Sequence, residues 1–88
     1  MVNIQARIEG YVLAVHRRNG GTMKQLNPSH RLLEPSLLLD SLDLAEIMVA
    51  IEKEFGDSPF ETDSPPRTWE EVAERLEVQR SRRAASRH

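Results

Sequence analysis

The chain predicts an all-α fold, a small bundle of three main helices joined by a long first loop and a shorter second connection. Three observations predict it. Apolar residues recur at helical and not alternating spacing, helix-start and helix-stop residues bracket the periodic stretches, and 88 residues are enough for one domain with one modest core. Hydrophobic content of 39% beside 30% charged residues is that of a folded globular chain and not of a disordered one.

The first helix is expected from Ile4 to about His16. Asn3 is a suitable N-cap, Ile4, Ile8, Tyr11, Val12 and Val15 form the inward stripe, and Arg17 and Arg18 suit the negative end of the dipole before Asn19-Gly20-Gly21 ends the repeat. Residues 20 to 37 read as connection, punctuated by Gly20, Gly21, Pro28 and Pro35. Leu26, Leu32, Leu33 and Leu37 are expected to pin that loop to the helices, and Met23 to Gln25 to make a short helical turn. His16, His30 and His88 have no metal-ligand spacing, and the first two are expected at the surface.

The second helix is the best marked. Leu44, Ile47, Met48, Ile51 and Phe55 lie on one face of a 3.6-residue repeat, Asp40 or Ser41 can cap its start, and Gly56 stops it with Pro59 beyond. A second stripe, Leu42, Ala45 and Val49, runs along another side with Glu46, Glu52 and Lys53 near it. Burying a Leu or Val contributes about 1.5 to 3 kcal/mol, so an apolar stripe left in water and rimmed by charge implies a docking surface.

Residues 57 to 67 contain Pro59, Pro65 and Pro66 and allow one helical turn at most, with Phe60 as the core contact. The last helix starts at Thr68, where Thr68-Trp69-Glu70-Glu71 matches a capping box, and Trp69, Val72, Ala73 and Leu76 face inward. Beyond Val78 apolar periodicity stops. Residues 1 to 78 are therefore expected to form the helical domain and 79 to 88 a basic, frayed tail.

The net charge of −2 conceals a division. Residues 1 to 31 carry +4, residues 32 to 78 carry −10, and residues 79 to 88 carry +4. The serine helix lies in the acidic part, a poor surface for nucleic acid and a good one for a basic protein partner. With no cysteine the chain has no thiol nucleophile and no disulfide of its own. No apolar run is long enough for a membrane span and no signal-peptide layout opens the sequence, so a cytoplasmic location and a monomer are the expectations.

Leu39-Asp40-Ser41-Leu42-Asp43, followed by the acidic and apolar helix that closes at Phe55-Gly56, resembles the acyl carrier protein family. In that family an Asp-Ser-Leu motif opens the second helix and the serine bears 4'-phosphopantetheine. The likeness spans about residues 4 to 77, with Arg31-Leu32-Leu33 before the motif and the Thr68 helix as the family's fourth. It implies an acyl-carrier-like bundle whose third helix is short or absent, with Ser41 as the attachment point and Asp40 and Leu42 beside it. It also implies that Leu42, Asp43, Ala45, Glu46, Val49 and Glu52 present the partner-recognition face. The partners implied are a phosphopantetheinyl transferase and acyl-loading, condensing or acyltransferase enzymes with basic docking patches. The cargo would be an acyl thioester of fatty-acid, polyketide or related specialised metabolism, and the chain itself would catalyse nothing. Leu38 stands where the family usually has Gly, Lys53 replaces a common acid, and the proline-rich 57 to 67 segment takes the place of the third helix.

Other readings share these residues. A peptidyl or aminoacyl carrier would look similar. A helical adaptor would use the Leu42, Ala45, Val49 stripe without a prosthetic group. A serine esterase, suggested by Asp-Ser-Leu alone, would need a histidine base and an oxyanion hole that a short helical chain has little room to build.

Overall fold

The side chain of Asn3 opens the first helix by accepting the Ala6 N–H at 3.1 Å. The computed structural model describes residues 3–85, in which three helices follow in order: α1 (Ile4–Arg18), α2 (Ser41–Phe55) and α3 (Trp69–Ala85). Among the described residues no strand occurs, and a single isolated bridge pairs Arg31 with Thr68. α1 runs one turn's fraction beyond His16 because His16, Arg17 and Arg18 occupy its last turn, where cationic and polar donors suit the exposed carbonyls.

The core is assembled from the stripes that the periodicity marks. Ile4, Ile8, Val12 and Val15 of α1, Ile47, Ile51 and Phe55 of α2, and Trp69, Val72, Ala73 and Leu76 of α3 are buried together. Tyr11, Leu44 and Phe60 are half-buried against them. α1 packs on both other helices. Arg7 near the start of α1 pairs with Glu54 near the end of α2, while Arg18 at the end of α1 pairs with Asp43 and Glu46 near the start of α2, so the two helices run antiparallel. Gly56 ends α2 in the left-handed conformation, φ 73°, that a helix stop of this kind requires.

The connections depart from the sequence expectation in three places. Met23 to Gln25 form no helical turn, because the Met23 N–H is spent on the His16 ring and not on a local carbonyl. The helical turn lies later, a 3-10 turn at Pro35–Leu37 in which proline holds the first position. Of the four leucines expected to pin the loop, Leu26 and Leu37 are buried and Leu32 is half-buried, but Leu33 is exposed. Backbone hydrogen bonds hold the loop as well. Leu32 N–H donates to the Arg67 carbonyl, Trp69 N–H to His30 and Glu70 N–H to Pro28, which clamps residues 28 to 32 onto the start of α3 and leaves His30 half-buried, not at the surface.

Thr68 and Glu71 form the expected reciprocal cap of α3: Thr68 Oγ1 accepts the Glu71 N–H at 3.2 Å and Glu71 Oε2 accepts the Thr68 N–H at 3.1 Å. The helix continues to Ala85, past the frayed end expected after Val78. Gln79 donates to the Ser58 carbonyl, the Arg80 guanidinium lies over the Phe55 ring, and Arg83 donates to the Phe55 carbonyl and pairs with Asp57. These contacts tie the polar extension to the end of α2 without apolar periodicity. Residues 86 to 88 lie outside the described residues.

Candidate functional site

The approach to Ser41 is a tight turn. After the 3-10 turn, Leu38 takes the left-handed conformation, φ 60° and ψ 32°, and Asp40 is extended. Leu38 thus adopts the geometry that glycine would supply at no steric cost, although the residue itself departs from the glycine of the resemblance. A left-handed leucine costs on the order of 1 kcal/mol, and this one is 47% exposed, so it has little packing to set against the strain. Leu38→Gly is therefore expected to stabilise the chain by no more than about 0.5 kcal/mol after the larger backbone entropy of unfolded glycine is deducted. A urea midpoint that falls on this substitution would show that the leucine side chain contributes more than the strain removes.

Asp40, and not Ser41, caps α2. Asp40 Oδ1 accepts the Asp43 N–H at 2.8 Å, and Asp43 Oδ2 accepts the Asp40 N–H at 3.1 Å. This reciprocal cap uses an Asp at its third position, where the usual sequence signature has Glu or Gln. Ser41 becomes the first residue of the helix, exposed, with its hydroxyl relieved of any capping role.

The end of α1 holds this turn from behind. His16 is 2% exposed, which corrects the surface placement expected for it. Its Nε2 accepts the Met23 N–H at 3.1 Å, which leaves Nδ1 to carry the proton and donate to the Leu37 carbonyl at 2.8 Å. Asn19 Nδ2 donates both to the Leu38 carbonyl at 2.8 Å and to Asp43 Oδ2 at 2.9 Å. Arg18 reaches Asp43 at 3.1 Å and grips Glu46 with two nitrogens at 2.9 and 3.1 Å. Three residues of one helix end therefore fix Leu37, Leu38, Asp43 and Glu46. None of them stands out in the sequence, where His16 looks like an ordinary helix-end residue and Arg18 like a dipole complement.

The structure separates the residues expected on the recognition face. Leu42 is 79% and Val49 51% exposed, Ala45 and Glu46 are exposed, and Glu52 is half-buried. The second stripe of α2 is thus uncovered, by the long loop as by the other helices. Asp43 differs: its side chain is 15% exposed and engaged by Asp40, Asn19 and Arg18, so it supports the turn and presents little to a partner. His16 offers Ser41 no base, since both ring nitrogens are taken. A cleft of about 250 Å3 opens between the starts of α1 and α3, walled by Ile8, Glu9, Leu26, Trp69 and Ala73, and none of its lining residues comes from α2. Among the described residues no cluster of three or more metal-ligating side chains occurs, and no helix is long and apolar enough to cross a membrane.

The carboxylates that lock the ends of α1 and α2 titrate low. The Asp40 backbone N–H, then Asn19 and Arg18, hold Asp43 below its ordinary value of 3.8. Arg7 and then Tyr11 hold Glu54 below 4.5, and the backbone N–H groups of Arg67 and Thr68 do the same for Glu71. Each depressed carboxylate binds protons more weakly folded than unfolded. Its stabilisation is complete above the ordinary carboxylate range and is lost as pH falls through the depressed folded values. The urea midpoint should therefore be level from about pH 7 to 5 and fall steadily below about pH 4.5. The groups are solvent-accessible, so added salt should flatten this fall. A midpoint that held constant down to pH 3 would deny these pairs any part in stability.

No protein-family model matches the chain, and neither a curated protein nor a solved structure matches it.

Proposed function

We propose that the chain is an acyl carrier, with 4'-phosphopantetheine attached to the Ser41 oxygen and an acyl group carried as a thioester between partner enzymes. The observation that carries this reading is the state of Ser41. It is the first residue of α2, exposed, and freed from the cap by Asp40, with the uncovered Leu42, Ala45 and Val49 stripe starting beside it. A serine kept only to cap the helix would use its hydroxyl for that purpose.

The residues present suit the group. Asp40 takes the Asp43 N–H with its side chain and the Leu44 N–H with its carbonyl at 3.0 Å, so the first-turn N–H groups of Ser41 and Leu42 remain as donors for a phosphodiester. The positive end of the helix dipole favours the same charge, by about 0.3 to 1 kcal/mol at an exposed position. The arm supplies a thiol, which this chain lacks. Leu42, Ala45 and Val49 would meet apolar partner side chains, with Glu46 and Glu52 at the rim. Asp43 and Glu46 are the acids that favour an acyl over an aminoacyl cargo in the sequence, and both are held by Arg18, so that choice rests on what is loaded. The chain acts by address and tether and needs no catalytic group.

A second reading draws on the same uncovered stripe: an adaptor that docks a partner helix through Leu42 and Val49 with no prosthetic group. Intact mass decides between them. On incubation with coenzyme A, magnesium and a broad-specificity phosphopantetheinyl transferase, a carrier gains one phosphopantetheine mass. No gain, under conditions in which the transferase loads a known carrier, would overturn the carrier reading and leave the adaptor.

A further inference from the structure

We infer that Arg18 sets the partner specificity of the face beside Ser41 by occupying the acids that a basic partner residue would otherwise engage. The inference rests on the carrier reading. The guanidinium holds Glu46 in a two-nitrogen fork at 2.9 and 3.1 Å and reaches Asp43 at 3.1 Å, while its own side chain remains 52% exposed. Asp43 is further bound by Asn19 and by the Asp40 N–H, and its side chain is 15% exposed, so it presents little to a partner. Glu46 has none of these other ties, and its side chain is 55% exposed.

The local charge follows from these contacts. The sequence places a block of −10 around the serine helix, yet the acid one helical turn beyond Leu42 on the docking face is already paired from within the chain. A lysine or arginine on a partner must displace Arg18 from Glu46 before it gains an ion pair there, an exchange with little net Coulomb energy. The partner best matched to this face accordingly offers an apolar contact for Leu42 and Val49 together with a carboxylate that receives Arg18 when its own cation takes Glu46. A partner that relies on cations alone is discriminated against.

The test compares rates of Ser41 loading, as kcat/KM by intact mass, for a broad-specificity phosphopantetheinyl transferase with a basic docking surface. Arg18→Gln is expected to raise kcat/KM about threefold at low salt, through KM, and to steepen its decline with added salt. Arg18→Lys, which keeps the charge without the fork, should give a smaller rise. Glu46→Gln placed on Arg18→Gln should remove the gain. Arg82→Gln, which makes the same change of net charge at the far end of α3, should give none. If Arg18→Gln leaves kcat/KM unchanged or lowers it, or if Arg82→Gln raises it equally, the specificity role is overturned while the carrier reading stands. If the native chain is not loaded at all, both fall.

Discussion

Ser41→Ala is expected to abolish loading by the transferase completely while leaving the fold unaffected. The two halves of that result come from different atoms. Loading needs the hydroxyl oxygen, for which alanine has no substitute. Folding does not, because the cap is made by Asp40 and Asp43. Substitution of an exposed helix residue with no capping role shifts stability by no more than about 0.5 kcal/mol, and alanine is the better helix former. Asp40→Ala should give the opposite pattern. It removes the acceptor of the Asp43 N–H and should cost about 1 kcal/mol, yet the chain should still be loaded, at a lower rate. Intact mass and urea unfolding on the two variants separate attachment from capping. An unloaded Asp40→Ala chain with normal stability would mean that the carboxylate engages the transferase directly. A Ser41→Ala chain that still performs its function in cells would favour the adaptor.

His16→Ala is expected to destabilise the chain strongly, by about 3 kcal/mol. The ring is buried, and both of its nitrogens bond backbone groups that the sequence separates widely, Met23 N–H and Leu37 carbonyl. Removing it strands a donor and an acceptor, at about 1 to 3 kcal/mol each where no water reaches them, and opens a space in the packing. In a domain whose total stability is on the order of 5 to 15 kcal/mol, this is a large share. Gly21 supplies an independent check. A Cβ at that position would lie 2.1 Å from two atoms of the His16 ring, which its hydrogen bonds prevent from moving aside. Gly21→Ala should therefore cost about 2 kcal/mol or more alone and much less in the His16→Ala background, where the clash is gone. Additive losses in the double variant would place the cost of Gly21→Ala in the backbone and not against the ring. Because the Leu37 carbonyl lies one residue before the left-handed Leu38, His16→Ala should also loosen the approach to Ser41 and slow its loading in proportion.

The helices, their inward stripes and the neighbourhood of the exposed serine are all legible in the residue order. Leu44 to Phe55 and Trp69 to Leu76 are legible because a 3.6-residue repeat of apolar residues has one way to bury itself, and Asn3, Thr68 with Glu71, and Gly56 mark boundaries by chemistry that acts within three or four residues. The stripe of Leu42, Ala45 and Val49 was legible for the same reason, as a second apolar side of the same helix, and it stays exposed.

How far α3 extends and how the turn before Ser41 is held depend on contacts that exist only in the folded chain. The cap of α2 itself is local, since Asp43 three residues on returns the hydrogen bond of Asp40, but Asn19 and Arg18 steady Asp43 from the far end of α1. Arg80 and Arg83 lengthen α3 through the Phe55 ring and carbonyl, and His16 reaches Met23 and Leu37. These are polar contacts between residues far apart in the chain, directional and dependent on where a few atoms meet. Local periodicity and capping carry no information about them, because a hydrogen bond across the fold exists only once the fold has brought its two ends within about 3 Å.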